Sequence, residues 1–185
     1  MRKIPFFLLL IMVTAIGFSQ PGNSNLAFVL QKGKFSLNAK PITPRWSVAA
    51  IQAQLGTTAK MQYGFNITHT YDNPGIVVFE AKEADSVGTG TMNELQIYFS
   101  AGDDVNDIVP SGVFTGSLKV DNINITSSLP MDKLRKQLKA LKYKETNAYS
   151  EHNFRFAKNG IYIYFFYDAS EKRLIKTSFG VDKPY

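Results

Sequence analysis

The chain has 185 residues, of which 44% are hydrophobic and 13% aromatic, and its formal net charge is +6. This composition supports a packed core and excludes an intrinsically disordered chain. The charge is too mild to indicate nucleic-acid binding, and the absence of cysteine excludes disulfides, thiol catalysis and cysteine-based zinc sites.

The N-terminal residues predict a secretory signal peptide, residues 1–19. Arg2 and Lys3 form a positively charged start, residues 4–16 are almost wholly apolar, and Gly17 and Ser19 are the small residues that precede a cleavage point. The apolar run is shorter than the roughly 20 residues of a spanning helix, although an N-terminal membrane anchor stays the alternative. We therefore expect an exported protein, periplasmic or extracellular, with no stable membrane insertion after cleavage.

Two later segments, residues 33–56 and 116–139, align without a gap. Both begin with alternating apolar residues, which predict a strand with one buried face. Both end with apolar residues at helical spacing, which predict an amphipathic helix. The strand residues are Phe35 and Leu37, then Leu118 and Val120; the helical residues are Val48, Ile51 and Leu55, then Met131, Leu134 and Leu138.

The alignment predicts an internal duplication. Each helix is followed by segments that look like strands, "TYDNPGIVVFEA" and "ELQIYFS" in the first case, "FRFAKNGIYIYFFY" and "RLIKTSF" in the second. We therefore expect an α+β fold in which residues 20–185 form a single compact domain of two tandem repeats, about 33–100 and 116–180. Each repeat is expected to pack one helix on an antiparallel sheet; two unrelated α+β stretches are the alternative.

The segment "ITHTYDNPGIVVFE" raises the question of a catalytic pair, because His69 stands near Asp72. The residues that alternate with this histidine are Phe65, Ile67 and Tyr71. Alternation predicts that they share one face of a strand, and "NPG" at residues 73–75 is typical of the turn that follows. We therefore expect a partly buried strand histidine and no catalytic residue, with a catalytic or metal-binding role as the alternatives. Loss of this side chain is expected to cost about 1 kcal/mol.

Two other clusters of polar residues resemble metal sites only weakly. Asp103, Asp104 and Asp107 lie in a loop between the two halves but lack the spacing of a calcium-binding EF-hand. Glu151 and His152 are adjacent but have no third ligand in a recognisable pattern. We expect no metal and no cofactor, with bound calcium in the acidic loop as the alternative.

Two surfaces are predicted to contact a partner. In "GIYIYFFYD", Tyr162, Tyr164 and Phe166 alternate and share one face of a strand, and tyrosine is favoured at protein interfaces. The second predicted helix carries several cations, among them Lys136 and Lys139, which would attract an acidic partner. A central strand covered on both faces and a solvated helix face are the structural alternatives.

Several short patterns resemble an uncharacterised domain of secreted bacterial proteins. They are Asn38–Thr43, Ser47–Gly56, Tyr71–Ile76 and Phe114–Leu118, and they cover roughly the first half of the chain after the signal peptide. Two tandem units of this kind also distantly resemble β-lactamase-inhibitor-protein-like domains. The resemblance brings no catalytic residues with it.

The sequence favours binding over catalysis. We expect a non-enzymatic, exported module that binds a protein with an acidic surface, as an inhibitor or as immunity against a toxin delivered to the envelope. The alternatives are an envelope protein that binds a glycan or a lipid, or has a structural role, and a hydrolase of unrecognised type.

Overall fold

The structure is a computed structural model that describes residues 26–42, 46–83, 87–100, 108–170 and 172–181. The predicted signal peptide and the loop aspartates Asp103, Asp104 and Asp107 lie outside these ranges. Within them, no helix is long and apolar enough to cross a bilayer. The same residues include no group of three His, Asp or Glu side chains that could hold a metal ion.

The described residues form thirteen strands and two helices. The elements of the first half are β1 (Ala27–Gln31), β2 (Lys34–Leu37), β3 (Lys40–Pro41), α1 (Val48–Leu55), β4 (Lys60–Tyr63), β5 (Ile67–Tyr71), β6 (Ile76–Lys82) and β7 (Gly88–Tyr98). The elements of the second half are β8 (Ser117–Val120), β9 (Ile123–Ile125), α2 (Met131–Ala140), β10 (Lys144–Ser150), β11 (Asn153–Lys158), β12 (Ile161–Tyr167) and β13 (Leu174–Val181).

The strands form two sheets that share one hydrophobic core. The large sheet is antiparallel and has the order β10-β11-β12-β13-β7-β6-β5-β4. The small sheet has the order β3-β2-β1-β8-β9, and β1 and β8 are parallel. Phe35 of the small sheet lies against Phe179 of the large sheet, with ring centroids 5.5 Å apart. The buried side chains of both sheets and both helices form one cluster, so burial of apolar surface between these layers is the main stabilising force.

The predicted fold class, two repeats that each pack one helix on an antiparallel sheet, is wrong. Strands make up 51% of the described residues, and the helices have only eight and ten residues. Neither sheet belongs to one half, because β1 pairs with β8 and β7 pairs with β13. Two short helices present too little apolar surface to cover an eight-stranded sheet, and the small sheet supplies the remaining cover. The molecule is therefore a β-rich fold.

The local predictions of helices and strands are largely confirmed. Both predicted helices form, as do the strands with alternating apolar residues at Phe35 and Leu118. Along the chain, each half runs through a hairpin of the small sheet, a helix and four consecutive strands of the large sheet. The repeat boundaries, 33–100 and 116–180, and the extent of the single domain stay a prediction.

Candidate functional site

The large sheet has a core face and an opposite face, which we call the outer face. Directly paired residues of antiparallel strands lie on the same side of a sheet, so the strand register assigns each side chain to a face. The outer face is lined by Arg155 of β11, Tyr162, Tyr164 and Phe166 of β12, Lys176 of β13, and Glu94, Gln96 and Tyr98 of β7. All of these side chains are half-buried except Tyr98, which is buried.

Hydrogen bonds connect polar groups across the outer face. The Tyr162 hydroxyl donates to Glu94 Oε2 at 2.6 Å, and Gln96 Nε2 donates to Glu94 Oε1 at 2.7 Å. The Tyr98 hydroxyl donates to Gln96 Oε1 at 2.8 Å. Burial, reinforced by the neighbouring Glu94 carboxylate, raises the pKa of Tyr162, so its phenol stays protonated and remains a donor. These bonds fix the positions of two rings and one carboxylate.

Two cations lie over aromatic rings on the same face. The Arg155 guanidinium is 4.5 Å from the centroid of the Tyr162 ring, and the Lys176 ammonium is 4.6 Å from that of Phe166. The rings of Tyr164 and Phe166 contact each other edge to face at 4.2 Å. Cation–π contacts of this kind hold long side chains against the sheet. The result is a preordered surface of rings with a cation on either side.

A glycine allows Tyr162 to lie flat on the sheet. Gly180 is its direct partner on β13, and a Cβ atom there would overlap the phenol ring of Tyr162. A larger residue would push the ring outward and break its contacts with Glu94 and Arg155. The absence of a side chain at Gly180 of β13 therefore leaves space for the ring of Tyr162 on β12.

The segment before β8 covers the other end of the outer face. Thr70 Oγ1 donates to the Ile108 carbonyl at 3.0 Å, and the Phe114 N–H donates to the Tyr98 carbonyl at 2.7 Å. Asp72 Oδ1 accepts a hydrogen bond from the Ser111 N–H at 2.9 Å. Thr70 and Val77 of the outer face are buried at this end, whereas Phe79 of β6 and most outer-face residues of β12, β13 and β7 are half-buried.

His69 belongs to the core face and has a different partner from the one that the sequence suggested. Its Nε2 atom lies 2.6 Å from Glu80 Oε2, and the other Glu80 oxygen accepts a hydrogen bond from the Gly90 N–H at 2.7 Å. His69 is 4% exposed and Glu80 is 7% exposed. Asp72 instead pairs with Lys60 at 3.2 Å. Both side chains of the His69–Glu80 pair are therefore largely shielded from solvent.

The strand prediction around His69 is partly wrong. Ile67, His69 and Tyr71 are buried members of β5 and point to the core face. Phe65 lies before the strand, in the β4–β5 turn, and is 96% exposed. The turn residues Gly64 and Asn66, which are hydrogen-bonded to each other, take the chain out of the strand before the alternation reaches Phe65.

The two predicted contact surfaces do not lie together. Tyr162, Tyr164 and Phe166 share the outer face. Helix α2 packs on the core face, since Arg135 lies over Phe154, a fully buried residue of the core cluster. Lys139 pairs with Glu145 of β10 at 2.8 Å, and Lys136 is exposed on the same helix. Both helix lysines are therefore across the sheet from the aromatic residues.

Five residues of the outer face carry no recognisable signal in the sequence. They are Glu94, Gln96, Tyr98, Arg155 and Lys176. Each stands in a strand whose alternation is visible, but their meeting depends on strand pairing between distant segments. Once β12 is known to pair with β13 and β13 with β7, alternation places Glu94, Gln96 and Tyr98 on the same face as the β12 rings, one strand further along the sheet.

Comparisons with known proteins identify a family but give little information on function. A search of curated proteins gave no match. A solved structure, a cysteine-rich secretory protein from Staphylococcus aureus subsp. aureus Mu50, matches 73% of this chain and 42% of its own, at 7% identity and a TM-score of 0.37. That likeness is too slight to indicate a shared fold. Residues 27–135 match the profile of a protein family described as a domain of unknown function, DUF7738. The chain belongs to this family of uncharacterised domains.

Proposed function

We propose that the protein is a non-enzymatic binding module that recognises another protein through the outer face of its large sheet. The single observation that carries the proposal is the preordered group of rings on β12, with Tyr164 and Phe166 in contact and cations on either side. Aromatic and arginine side chains contribute most of the binding energy at protein interfaces. Side chains already held in place lose less conformational entropy on binding.

The charge of the outer face supports an acidic partner. Arg155 and Lys176 are cations, and Glu94 is the one carboxylate among the residues that define the face. Its two oxygens already accept hydrogen bonds from Tyr162 and Gln96. A carboxylate of the partner could pair with Arg155 on one side of the β12 rings or with Lys176 on the other. Such complementarity increases the association rate and selects the partner.

The cellular role that we propose is that of an exported inhibitor or an immunity protein against a toxin delivered to the envelope. It rests on the predicted signal peptide and on the ordered aromatic surface of the outer face. The distant resemblance to β-lactamase-inhibitor-protein-like domains stays a prediction. Lys136 and Lys139 would not touch a partner seated on the outer face, and they would act only by long-range attraction.

The test begins with affinity capture from envelope and secreted fractions, followed by calorimetric titration of the purified partner. Tyr164→Ala is expected to weaken binding by about 30-fold or more, equivalent to about 2 kcal/mol. Lys176→Gln is expected to slow association and reduce its dependence on salt. Lys136→Ala should leave the dissociation rate unchanged, because that residue lies on the other side of the sheet.

The matched control is Val87→Ala, which truncates an exposed apolar side chain just before β7, away from the outer-face rings and from β4. Thermal unfolding of each variant verifies that it is folded. A partner that binds Tyr164→Ala and Phe166→Ala as tightly as the unaltered protein contradicts the proposal. So does retention on a glycan or lipid array with no stoichiometric protein partner.

A further inference from the structure

The β4 strand lies at one edge of the large sheet and is unusually apolar for that position. Its order in the sheet leaves β5 as its one neighbour among the described strands. Met61 is 49% exposed and Tyr63 is 64% exposed, and Phe65 in the following turn is 96% exposed. An edge strand offers unpaired backbone groups, and natural proteins usually protect such edges.

The exposed residues of β4 continue a buried row of the core face. Met61 is paired with His69 and Tyr63 with Ile67, and both partners are buried. On β4 the same face of the sheet is exposed to solvent. Met61 and Tyr63 therefore extend the buried row of β5 with exposed apolar side chains. Ala59, just before the strand, is also exposed and alternates with them.

The two edges of the large sheet differ. The opposite edge, β10, pairs with β11 through two register shifts, and such bulges protect an edge from further pairing. In contrast, β4 pairs with β5 in an unbroken register from Lys60 to Tyr63. Its one charge, on Lys60, is already paired with Asp72 at 3.2 Å. The β4 edge is therefore regular and neutral, and it does not select an acidic strand.

We propose that β4 pairs antiparallel with β4 of a second copy of this chain, around a two-fold axis at Gln62. In this register Met61 of each copy lies opposite Tyr63 of the other, which joins apolar side chains on the core face. The two Gln62 amides meet on the outer face and can exchange hydrogen bonds. Lys60 lies opposite Gly64 of the other copy, so no like charges face each other.

The arrangement is self-complementary and closed. The apolar alternation Ala59, Met61, Tyr63, Phe65 runs in reverse on the second strand, so Phe65 comes level with Ala59. The dimer joins two large sheets into one and uses both β4 edges, while the β10 edges remain blocked by their bulges. An isologous contact of this kind ends at a dimer rather than a filament. A four-residue strand buries a small area, so the dimer dissociates on dilution.

The absence of cysteine from the chain allows a direct test of the register. Opposed residues on antiparallel strands have Cα atoms about 4.5–5.5 Å apart, within the range that a disulfide spans. We expect Gln62→Cys to form a cross-linked dimer on mild oxidation, and Asn122→Cys, in an exposed turn of the small sheet, to remain monomeric. Sedimentation equilibrium of the unaltered protein is expected to give a mass that rises with concentration and stops at two chains.

A variant that adds a charge at position 62 is a second test of the proposed dimer. Gln62→Lys places two ammonium groups opposite each other and should abolish the rise in mass, whereas Asn122→Lys, with the same change in net charge, should not. A monomeric mass up to the highest concentration overturns the proposal. A dimer that is insensitive to Gln62→Lys, or a Gln62→Cys variant that cross-links no faster than Asn122→Cys, overturns it as well.

Discussion

At the scale of single residues, His69 and Glu80 form a buried hydrogen-bonded pair. Removing one partner of a buried hydrogen bond leaves the other group unsatisfied, which costs about 1–3 kcal/mol and more for a charged group. His69→Ala would leave the Glu80 carboxylate, 7% exposed, with only the Gly90 N–H as its partner. We therefore expect the free energy of unfolding to fall by about 3 kcal/mol, more than the 1 kcal/mol expected from packing alone. Urea unfolding monitored by circular dichroism measures this loss.

The control for this prediction is the double variant His69→Leu with Glu80→Leu. It removes both polar groups, and replacing both partners of a buried hydrogen bond by apolar groups can be nearly neutral. We expect the double variant to be more stable than either single variant. A double variant whose loss equals the sum of the two single losses would show that the side chains act independently, contrary to our interpretation.

Gly75, in the turn between β5 and β6, is a second point where one residue decides local structure. Its φ of +65° is one that glycine adopts readily, and a Cβ atom would lie 2.6 Å from the Phe114 nitrogen. Gly75→Ala should therefore reduce the free energy of unfolding by more than the roughly 1–2 kcal/mol of the left-handed backbone alone. Gly160→Ala is the matched control, since Gly160 has a φ of +69° and nothing within 4 Å of the added atom. Equal losses in the two variants would refute the role of packing against Phe114.

At the scale of elements, the sequence predicts the central strands of the large sheet and misses its two edge strands. It also misses β1, which is a central strand of the small sheet. The core strand β12 shows its alternation clearly, and the grouping of Tyr162, Tyr164 and Phe166 on one face follows from it. The edge strands β4, "KMQY", and β10, "KETNAYS", escape prediction because a strand with one neighbour needs few apolar residues. The burial pattern of a strand reports its position in the sheet as much as its conformation.

Local sequence patterns do not predict which distant strands pair with each other. Helical spacing predicts α1 and α2, but not that a second sheet packs on the core face of the large one. Alternation predicts which side chains share a face of β12, but not that Arg155 and Lys176 join them, since this depends on the register with β11 and β13. His69 illustrates both cases: its burial follows from its neighbours in β5, whereas its partner Glu80 is set by the pairing with β6.

At the scale of the whole molecule, carboxylates connect the layers. Asp121, in the turn between β8 and β9, accepts hydrogen bonds from the Lys32 N–H at 3.0 Å, the Tyr143 hydroxyl at 3.2 Å and Lys158 Nζ at 3.2 Å. It thereby ties the small sheet to the large sheet and to the segment after α2. Glu145 of β10 accepts a hydrogen bond from Arg135 Nε of α2 at 3.0 Å. These contacts lie where the layers meet.

The pKa values of these carboxyl groups predict acid sensitivity. Burial favours the protonated form of Asp121, but the Lys32 N–H and the Lys158 ammonium outweigh it and lower the pKa below the usual value of 3.8. For Glu145, burial is likewise outweighed by Lys139 and Arg135. A carboxyl group with a lower pKa in the folded state stabilises the fold above its unfolded-state pKa, and this contribution is lost as pH falls through the folded-state value. Stability should therefore hold near neutral pH and decline from the ordinary carboxyl range downward.

Urea unfolding at a series of pH values tests this expectation, with Asp121→Asn as the diagnostic variant. Asn tolerates the φ of 50° at this position and can still accept the Lys32 N–H, but it cannot pair as a charge with Lys158. We expect it to cost about 1–2 kcal/mol at pH 7 and to flatten the decline in stability at acid pH. Asp132→Asn, at an exposed site in the first turn of α2, is the control and should keep the slope of the unaltered protein. If Asp121→Asn retains the full acid slope, the contact that joins the two sheets does not depend on ionised Asp121, and the loss of stability in acid must arise at other carboxylates.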